Sequence, residues 1–325
     1  MSLLDTRLLS ALRASQVHLP ATDLAGQLAE PLSTVEARLN ELRGAGFEIE
    51  ERPGLGFRLL ASPDRLIADD LQARLGPSSL FREIVVFAET DSTNDLAARQ
   101  GREGAASGLV FFAEHQTAGR GRFGRRWASA SHRGLWFSLL LRPPMPTALW
   151  PRLTTWAAVA LADAIETGLG LPASIKWPND VLIGGRKIAG ILAESGRDHS
   201  GQPFAVVGIG VNVNHEPEDF PPELAERAGS LRMATQRVID RPAFAAELLR
   251  ALDSRFEQLV SDYPSITAAT ARRSLLLGKW IHVQAGTDLL EGKAESLDED
   301  GHLMLREANG TLRRLTAGEV TIVAG

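Results

Sequence analysis

The chain has 325 residues, 44% hydrophobic and 23% charged, with a formal net charge of −5. That length carries two or three domains and at least one sizeable core, and the acidic balance excludes a general pull towards nucleic acid, so any such contact must come from a local patch. The absence of cysteine excludes a disulfide, a thiolate metal site and a cysteine nucleophile.

The start, Met1-Ser-Leu-Leu-Asp-Thr-Arg7, has no long apolar core behind a basic segment, and no uninterrupted apolar run approaches about 18 residues. The expectation is a cytoplasmic protein with no membrane partner. Residues 1–62 read as a separate module. Leu8, Leu9 and Leu12 have helical spacing within Thr6–Arg13, and Thr22 is placed to cap a second helix carrying Leu24, Ala25 and Leu28. Ser33 is placed to cap a third, with Val35, Leu39 and Leu42 on one face and Gly44-Ala-Gly46 as its end. Phe47–Arg52 and Gly56–Leu60 then flank Pro53-Gly54 as strand, turn and strand. Three helices and a hairpin is the winged helix-turn-helix order, whose third helix reads DNA. Ser33, Thr34, Arg38 and Arg43 are the candidate DNA contacts. The module has six arginines, no lysine and eight acids, six minus eight giving −2. Phosphate contacts dominate DNA affinity, so this is a weakly equipped reader, and a module kept for dimerisation or regulation is the competing reading.

Ser62-Pro63 and Gly76-Pro-Ser-Ser79 bracket a short helical linker, 63–79. Ile84–Phe87 reads as a strand leading into Glu89-Thr-Asp-Ser-Thr-Asn-Asp95. Asp91 or Ser92 can cap the following helix; equally, Ser92, Thr93 and Asn94 suit hydrogen bonding to a compact polar ligand group. Leu109–Ala113 is the next strand, and it delivers Gln116-Thr-Ala-Gly-Arg-Gly-Arg-Phe-Gly-Arg-Arg-Trp127.

That stretch sets Arg120, Arg122, Arg125 and Arg126 among Gly119, Gly121 and Gly124, with no Asp or Glu between Glu114 and Asp163. Glycines bring backbone N–H groups close to a ligand, and guanidinium forks match carboxylate or phosphate oxygens. An anion-handling loop is the reading preferred over a solvated basic surface. The spacing Gly119-x-Gly121-x-x-Gly124 matches the dinucleotide fingerprint, but a strand (Leu135–Leu141) follows where a helix is needed, and no acid stands at the required distance. No Gly-Lys-Ser/Thr follows, which excludes a Walker loop as well.

Thr154–Ile165 reads as an Ala-rich helix covering a sheet face. Ile175-Lys-Trp-Pro-Asn-Asp-Val-Leu-Ile183, Gly184-Gly185 and Arg186-Lys-Ile-Ala-Gly-Ile-Leu-Ala-Glu194 read as two strands around a tight turn, which draws Lys176 and Lys187 together. They are two of only four lysines, with Lys279 and Lys293. Asp180 would orient a lysine, act as a base, or be purely structural. Ala205–Val213 is a buried strand interrupted by Gly208 and Gly210, which weaken it unless something must approach closely. Pro242–Val260 is an amphipathic helix. Trp280–Gln284, Leu289–Ser296, Gly301–Arg306, Thr311–Leu315 and Val320–Val323 read as short strands of a small SH3-like barrel.

Asp-Ser-Thr-Asn, Gly-Arg-Gly-Arg-x-Gly-Arg, Lys-Trp-Pro-Asn-Asp, Arg-Lys-x-Ala-Gly-Ile-Leu and Gly-Ile-Gly-Val-Asn, in that order, resemble the biotin–protein ligases, and the N-terminal module makes the whole chain resemble the bifunctional type that is also the biotin operon repressor. The resemblance implies an α/β (α+β) catalytic domain of the class II synthetase-like type over 80–272, between a winged helix-turn-helix (1–62) and an SH3-like C-terminal β-barrel (273–325). It implies biotin and ATP with Mg2+ as ligands, biotinoyl-5′-AMP as intermediate, and the biotin carboxyl carrier protein of acetyl-CoA carboxylase as acceptor. Operator DNA and a homodimer of adenylate-bound chains are implied as well. Carried over by motif, Ser92, Thr93, Asn94, Gln116, Arg120, Gly121, Arg122 and Lys187 would bind biotin. Arg122, Trp127, Lys176, Asn179 and Asn212 would serve ATP or the adenylate, and Arg122, Lys176 and Lys187 would be catalytic. No protein metal ligand is assigned. The alternatives are a monofunctional ligase whose first domain does not bind DNA, or a lipoyl or octanoyl transferase relative. The low basicity of the third helix, and Leu55 in the wing turn, are departures from the operator-binding pattern.

Overall fold

Three helices open the chain in the computed structural model, which describes residues 3–322: α1 (Leu3–Ala14), α2 (Ala21–Leu28) and α3 (Leu32–Gly44). Their apolar faces close on Phe47, Ile49 and Phe57 from the hairpin β1 (Glu48–Arg52) and β2 (Gly56–Ala61). Met1 and Ser2 lie outside the described residues. The helix starts differ from expectation. Thr22 and Ser33 lie inside their helices, and the N-cap positions are Pro20 and Pro31, neither with a side-chain acceptor. Proline's fixed φ suits a chain entering a helix, and it adds no N–H donor to those the first turn already leaves unpaired.

The expected linker is a packed element. Helix α4 (Ala68–Leu75) puts Leu71 and Leu75 into the central core, while Ile67 and Ala73 lie against the N-terminal one. Asp70, 1% exposed, accepts from Arg13 of α1 and from Arg74 at 2.8 Å.

The central sheet follows. In chain order come β3 (Glu83–Thr90), α5 (Thr93–Arg102), β4 (Leu109–Gln116), β5 (Gly134–Leu141), α6 (Arg152–Leu169), β6 (Ser174–Lys176), β7 (Asp180–Ile183), β8 (Arg186–Arg197) and β9 (Pro203–Asn212). Seven strands lie in the order β3-β4-β5-β9-β8-β7-β6, and only β3 and β4 run parallel. The short α7 (Leu231–Thr235), then α8 (Arg241–Ser261) and α9 (Tyr263–Arg272), complete the layer begun by α6. Phe111 and Phe112, neighbours on β4, enter different cores: Phe112 meets the α6 and α8 side, Phe111 the α5 side. Period-two alternation thus buries both faces of the sheet. The stretch Ile175–Ile183, expected as one strand, is two, because Pro178 cannot donate to a ladder and the chain reverses between Lys176 and Asp180.

A buried ion pair ties the segment before α4 to this sheet. Arg241 is wholly buried; its Nη1 donates to Glu114 Oε2 (2.7 Å) and Gly134 O (3.2 Å), its Nη2 to Glu114 Oε1 (3.4 Å) and Asp64 O (2.9 Å), and its Nε to Asp64 Oδ1 (3.0 Å). Full use of the guanidinium donors is what makes such a burial tolerable.

The C-terminal strands β10 (Trp280–Ala285), β11 (Asp288–Leu297), β12 (Leu303–Arg306), β13 (Leu312–Leu315) and β14 (Glu319–Ile322) form an antiparallel sheet ordered β13-β12-β11-β10-β14. The expected SH3-like barrel is not closed: β13 and β14 are opposite edges, unpaired with one another among the described residues. Val323 lies outside those residues. Closure is not needed to bury the apolar face, because Trp177 and Leu276 from outside the sheet cover Ile281, Val283, Leu303 and Leu305. No helix among the described residues is long and apolar enough to cross a membrane.

Candidate functional site

The arginine-rich loop is folded down onto the sheet. Thr117 N and Ala118 N donate to Thr90 O and Asp91 O, both at 2.9 Å, so the loop's root prolongs the β3–β4 pairing. Trp127 N donates to Gly119 O (2.9 Å) and Gly121 N to Arg125 O (2.7 Å), drawing the intervening residues into a narrow ribbon. Phe123 (φ 55°) and Gly124 (φ 72°) turn its tip through left-handed backbone, which for a non-glycine costs about 1–2 kcal/mol. The Arg122 guanidinium lies 4.8 Å from the centroid of the exposed Phe123 ring.

Neighbours in sequence offer these arginines no acid; the fold does. Arg120 grips Glu194 with both terminal nitrogens (3.0 and 2.6 Å) and reaches Asp95 at 2.9 Å. Arg125 pairs with Glu319 of the C-terminal sheet, and Arg126 donates to Thr117 O (3.0 Å). Arg122 donates to Asn179 Oδ1 at 2.9 Å. Burial pushes the Arg122 guanidinium below its ordinary value, and the Asp180 charge opposes that shift. Arginine's high intrinsic basicity keeps it a permanent, partly desolvated cation.

The glycines of β8 and β9 form a floor under Trp127. A Cβ on Gly190 or on Gly210 would stand 2.8 Å from the indole ring, which accounts for glycine inside these strands. Trp127 also meets Trp136 edge-on, centroids 6.2 Å apart, and its buried Nε1 has no partner. Lys187 Nζ lies 5.2 Å from the centre of the Trp127 ring and 2.7 Å from Asp180 Oδ1. Asp180 stands opposite Lys176 in the β6–β7 ladder.

At the other end is a buried polar pocket. Thr93 N and Oγ1 donate to Gln116 Oε1 (2.9 and 3.1 Å), and Gln116 Nε2 donates to Ser129 Oγ (3.1 Å). Ser138 Oγ lies 2.8 Å from Thr93 Oγ1 and 2.6 Å from Asn94 Oδ1, while Asn94 Nδ2 donates to Glu194 Oε2 at 2.7 Å. Ser92, at the start of α5, is 2% exposed and makes no side-chain cap bond. Ser138 and Glu194 were not singled out from sequence. The signal for Ser138 was one hydroxyl in the wholly buried strand Gly134–Leu141; Glu194 ended an apolar strand and carried none. Gly208 makes room for the pocket, since a Cβ there would stand 1.9 Å from Asn94 Oδ1. Gly208→Ala is therefore expected to cost about 1–3 kcal/mol of stability by overpacking, measured by urea unfolding.

Asn212 is held in the scaffold: its Nδ2 donates to Gly229 O (3.0 Å), next to the Lys187 N to Arg227 O bond of 2.7 Å. Asn214 closes the base of the following excursion, donating to Ile239 O (2.8 Å) and accepting from Ile239 N (2.9 Å). His215, 1% exposed, stacks on Phe220 and meets Trp136 edge-on. Burial first, then the Arg133 and Arg241 charges, lower its pKa to about 4, against the opposing charge of Asp219. Because the folded value is depressed, its contribution is complete above the unfolded value near 6.5 and is lost as pH falls from there towards 4. The full swing is about 3 kcal/mol, so the urea midpoint should fall over that window, and His215→Phe should flatten the fall.

A cavity of about 350 Å³ opens beside this site, between β8, the start of α6 and the C-terminal sheet. Arg122, Asn179 and Glu194 line it, but Thr93, Asn94, Gln116 and Lys187 do not. The bonded constellation, rather than this cleft, therefore defines the site. It joins a hydrogen-bonded polar cluster to the Trp127 indole on its glycine floor and to a cationic end, which suits a ligand with a polar head and an anionic tail.

The candidate DNA contacts lie elsewhere, and both of the arginines among them are engaged. Ser33 and Thr34 occupy the first turn of α3. Arg38 pairs with Glu41 and lies 3.8 Å from Asp5, and Arg43 pairs with Glu51 at 3.3 Å. In the hairpin, Glu50 takes His18 (2.7 Å), Arg52 (3.0 Å) and Arg58 (3.4 Å).

Comparison with known proteins adds the following. A sequence model of the Biotin/lipoate A/B protein ligase family matches residues 86–214, and one of the Biotin protein ligase C terminal domain matches residues 276–323. The chain is 32% identical over 291 residues to the bifunctional ligase/repressor BirA of Bacillus subtilis, covering 89% of each. It is 37% identical over 264 residues to the biotin–[acetyl-CoA-carboxylase] ligase of Mycobacterium tuberculosis, covering 79% of this chain and 94% of that one. The biotin protein ligase from Aquifex aeolicus, solved in complex with biotin and ATP, superposes with a TM-score of 0.65 at 28% identity, over 75% of this chain and 100% of that one.

Proposed function

This chain belongs to the biotin/lipoate A/B protein ligase family and is a biotin–protein ligase, and from that premise we propose that it joins biotin to ATP as biotinoyl-5′-AMP with loss of pyrophosphate. The ε-amine of one lysine on the biotin carboxyl carrier protein then attacks the mixed anhydride and releases AMP. The observation that carries this reading is the convergence of Lys187 and Trp127 over the Gly190–Gly210 floor, with Arg120 joined through Glu194 to the hydrogen-bonded cluster of Thr93, Asn94 and Gln116. Ser92, Thr93, Asn94 and Gln116 receive the ureido end of biotin. Arg120, Gly121 and Arg122 close over its carboxylate and the adenylate. Lys187 meets the carboxylate and the transferring phosphate, and Lys176, Asn179 and Asn212 are assigned to the nucleotide, Asn212 through the backbone it holds.

Bringing a carboxylate against a polyphosphate needs cations on both negative groups, and positioning with electrostatics does most of the work. No enzyme nucleophile is required, as suits a chain without cysteine. Magnesium accompanies ATP in this reading. Among the described residues, the one cluster of three potential metal ligands is Asp298, Asp300 and His302, and Arg152 and Arg314 already bind the Asp300 carboxylate at 2.6 and 2.7 Å. ATP phosphate oxygens together with retained waters would supply the magnesium shell, as is usual for this ion.

We take the chain as residues 1–62, a linker over 63–79, a catalytic domain over 80–272 and a C-terminal domain over 273–325, working in the cytoplasm. The helix–helix–helix–hairpin order supports a winged helix-turn-helix and, with the BirA relatives, a biotin-dependent repressor that binds its operator as an adenylate-bound dimer. The ion-paired arginines of α3 and the hairpin favour a ligase whose first domain does not bind DNA. Pyrophosphate release on adding biotin and ATP tests the enzyme, and no release, or release with lipoate instead, would overturn it. Retention of the protein's own biotin-synthesis promoter at moderate salt, with and without both ligands, decides between repressor and monofunctional ligase.

A further inference from the structure

One carboxylate holds both the loop and the pocket. Glu194 on β8 accepts from Arg120 Nη1 on Oε1 and from both Arg120 Nη2 and the Asn94 amide (2.7 Å) on Oε2, while Asp95 also meets Arg120 Nη2 at 2.9 Å and gives the loop a second, weaker hold. Asn94 Oδ1 faces Ser138 and sits where only a glycine at 208 leaves space. The amide is therefore oriented with its N–H towards Glu194 and its oxygen inward. Asn94 is 5% exposed, whereas the side chains of Arg120 and Glu194 are 38% and 36% exposed. An ion pair at that exposure contributes little to stability and opens readily, but the two-point fork gives it direction.

Building on the ligase reading, we propose that Glu194 is a positioning residue that latches the arginine loop through Arg120 and sets the Asn94 amide in the biotin head pocket. Loop closure and pocket geometry then share one group. When the latch is loosened, the loop opens and the activated acid escapes; when the carboxylate is removed, the head pocket also loses its orientation.

Two variants separate the two actions. Glu194→Gln keeps an oxygen for Asn94 but sets an amide N–H₂ against Arg120, whereas Glu194→Ala removes both contacts. Limited trypsin digestion of the ligand-free full chain reads the latch alone, since Arg120, Arg122, Arg125 and Arg126 are its cleavage sites. Cleavage there should be about ten-fold faster in Glu194→Gln than in the unmodified chain, with equal urea midpoints. Equal cleavage rates would overturn the latch. With biotin and ATP, Glu194→Ala should raise KM for biotin about ten-fold above Glu194→Gln, the loss expected for a hydrogen bond to a charged group. Both variants should raise hydrolytic escape of the intermediate about ten-fold relative to the unmodified chain, by the same opening. Equal KM values in the two variants would overturn the pocket role, and unchanged escape would overturn the latch's part in retention. If the unmodified chain releases no pyrophosphate, the ligase reading and the pocket role fail together, while the digestion still decides the latch.

Discussion

Replacing Lys187 with alanine should slow pyrophosphate release by about a thousand-fold, the upper end of what one preorganised electrostatic group supplies. Lys187 Nζ sits 2.7 Å from Asp180 Oδ1 and faces the Trp127 ring. Its removal takes away a cation and also leaves the Asp180 carboxylate unpaired where, in the proposed reading, a biotin carboxylate and a polyphosphate meet. The loss therefore combines missing attraction with added repulsion. The double variant Lys187→Ala with Asp180→Asn should consequently recover about ten-fold over Lys187→Ala alone. A near-normal rate for Lys187→Ala would remove the residue from the mechanism. A double variant slower than the single one would show Asp180 acting in its own right on the incoming amine.

Arg122→Gly should separate making the intermediate from keeping it. Arg122 reaches Asn179 at 2.9 Å from a half-buried position and anchors the loop ribbon at its turn. Glycine there leaves the Lys187 end in place, so biotin-dependent pyrophosphate release remains measurable. The cation that would close over the adenylate is lost, and water and foreign amines gain entry. Labelling of lysines on a bystander protein should rise about a hundred-fold. Mass spectrometry of biotinylated bystander lysines checks this, and unchanged selectivity would deny Arg122 a retaining role.

Much of the site was legible because its chemistry is concentrated in short runs. The glycine and arginine spacing at 119–126 and the glycines at 208 and 210 inside a strand stand out locally, and each lies at or beside the constellation, as does Lys187. What was not legible is which distant acid answers which arginine. Glu194 lies 74 residues from Arg120 in the chain, and Glu319 lies 194 from Arg125. Ser138 was hidden for the same reason, since its value comes from Thr93 and Asn94 on another element.

By itself the sequence determined most of the elements and their order, because periodicity and turn residues are set by backbone stereochemistry over a few residues, and its motifs placed the chain in the family. It misjudged Ile175–Ile183 as one strand and expected the C-terminal strands to close. The tertiary structure alone decided those points, together with the packing of α4 into two cores and the gathering of Arg120, Asn94 and Glu194. These depend on contacts between segments far apart in the chain, where burial and pairing of charges, rather than local propensity, select the arrangement.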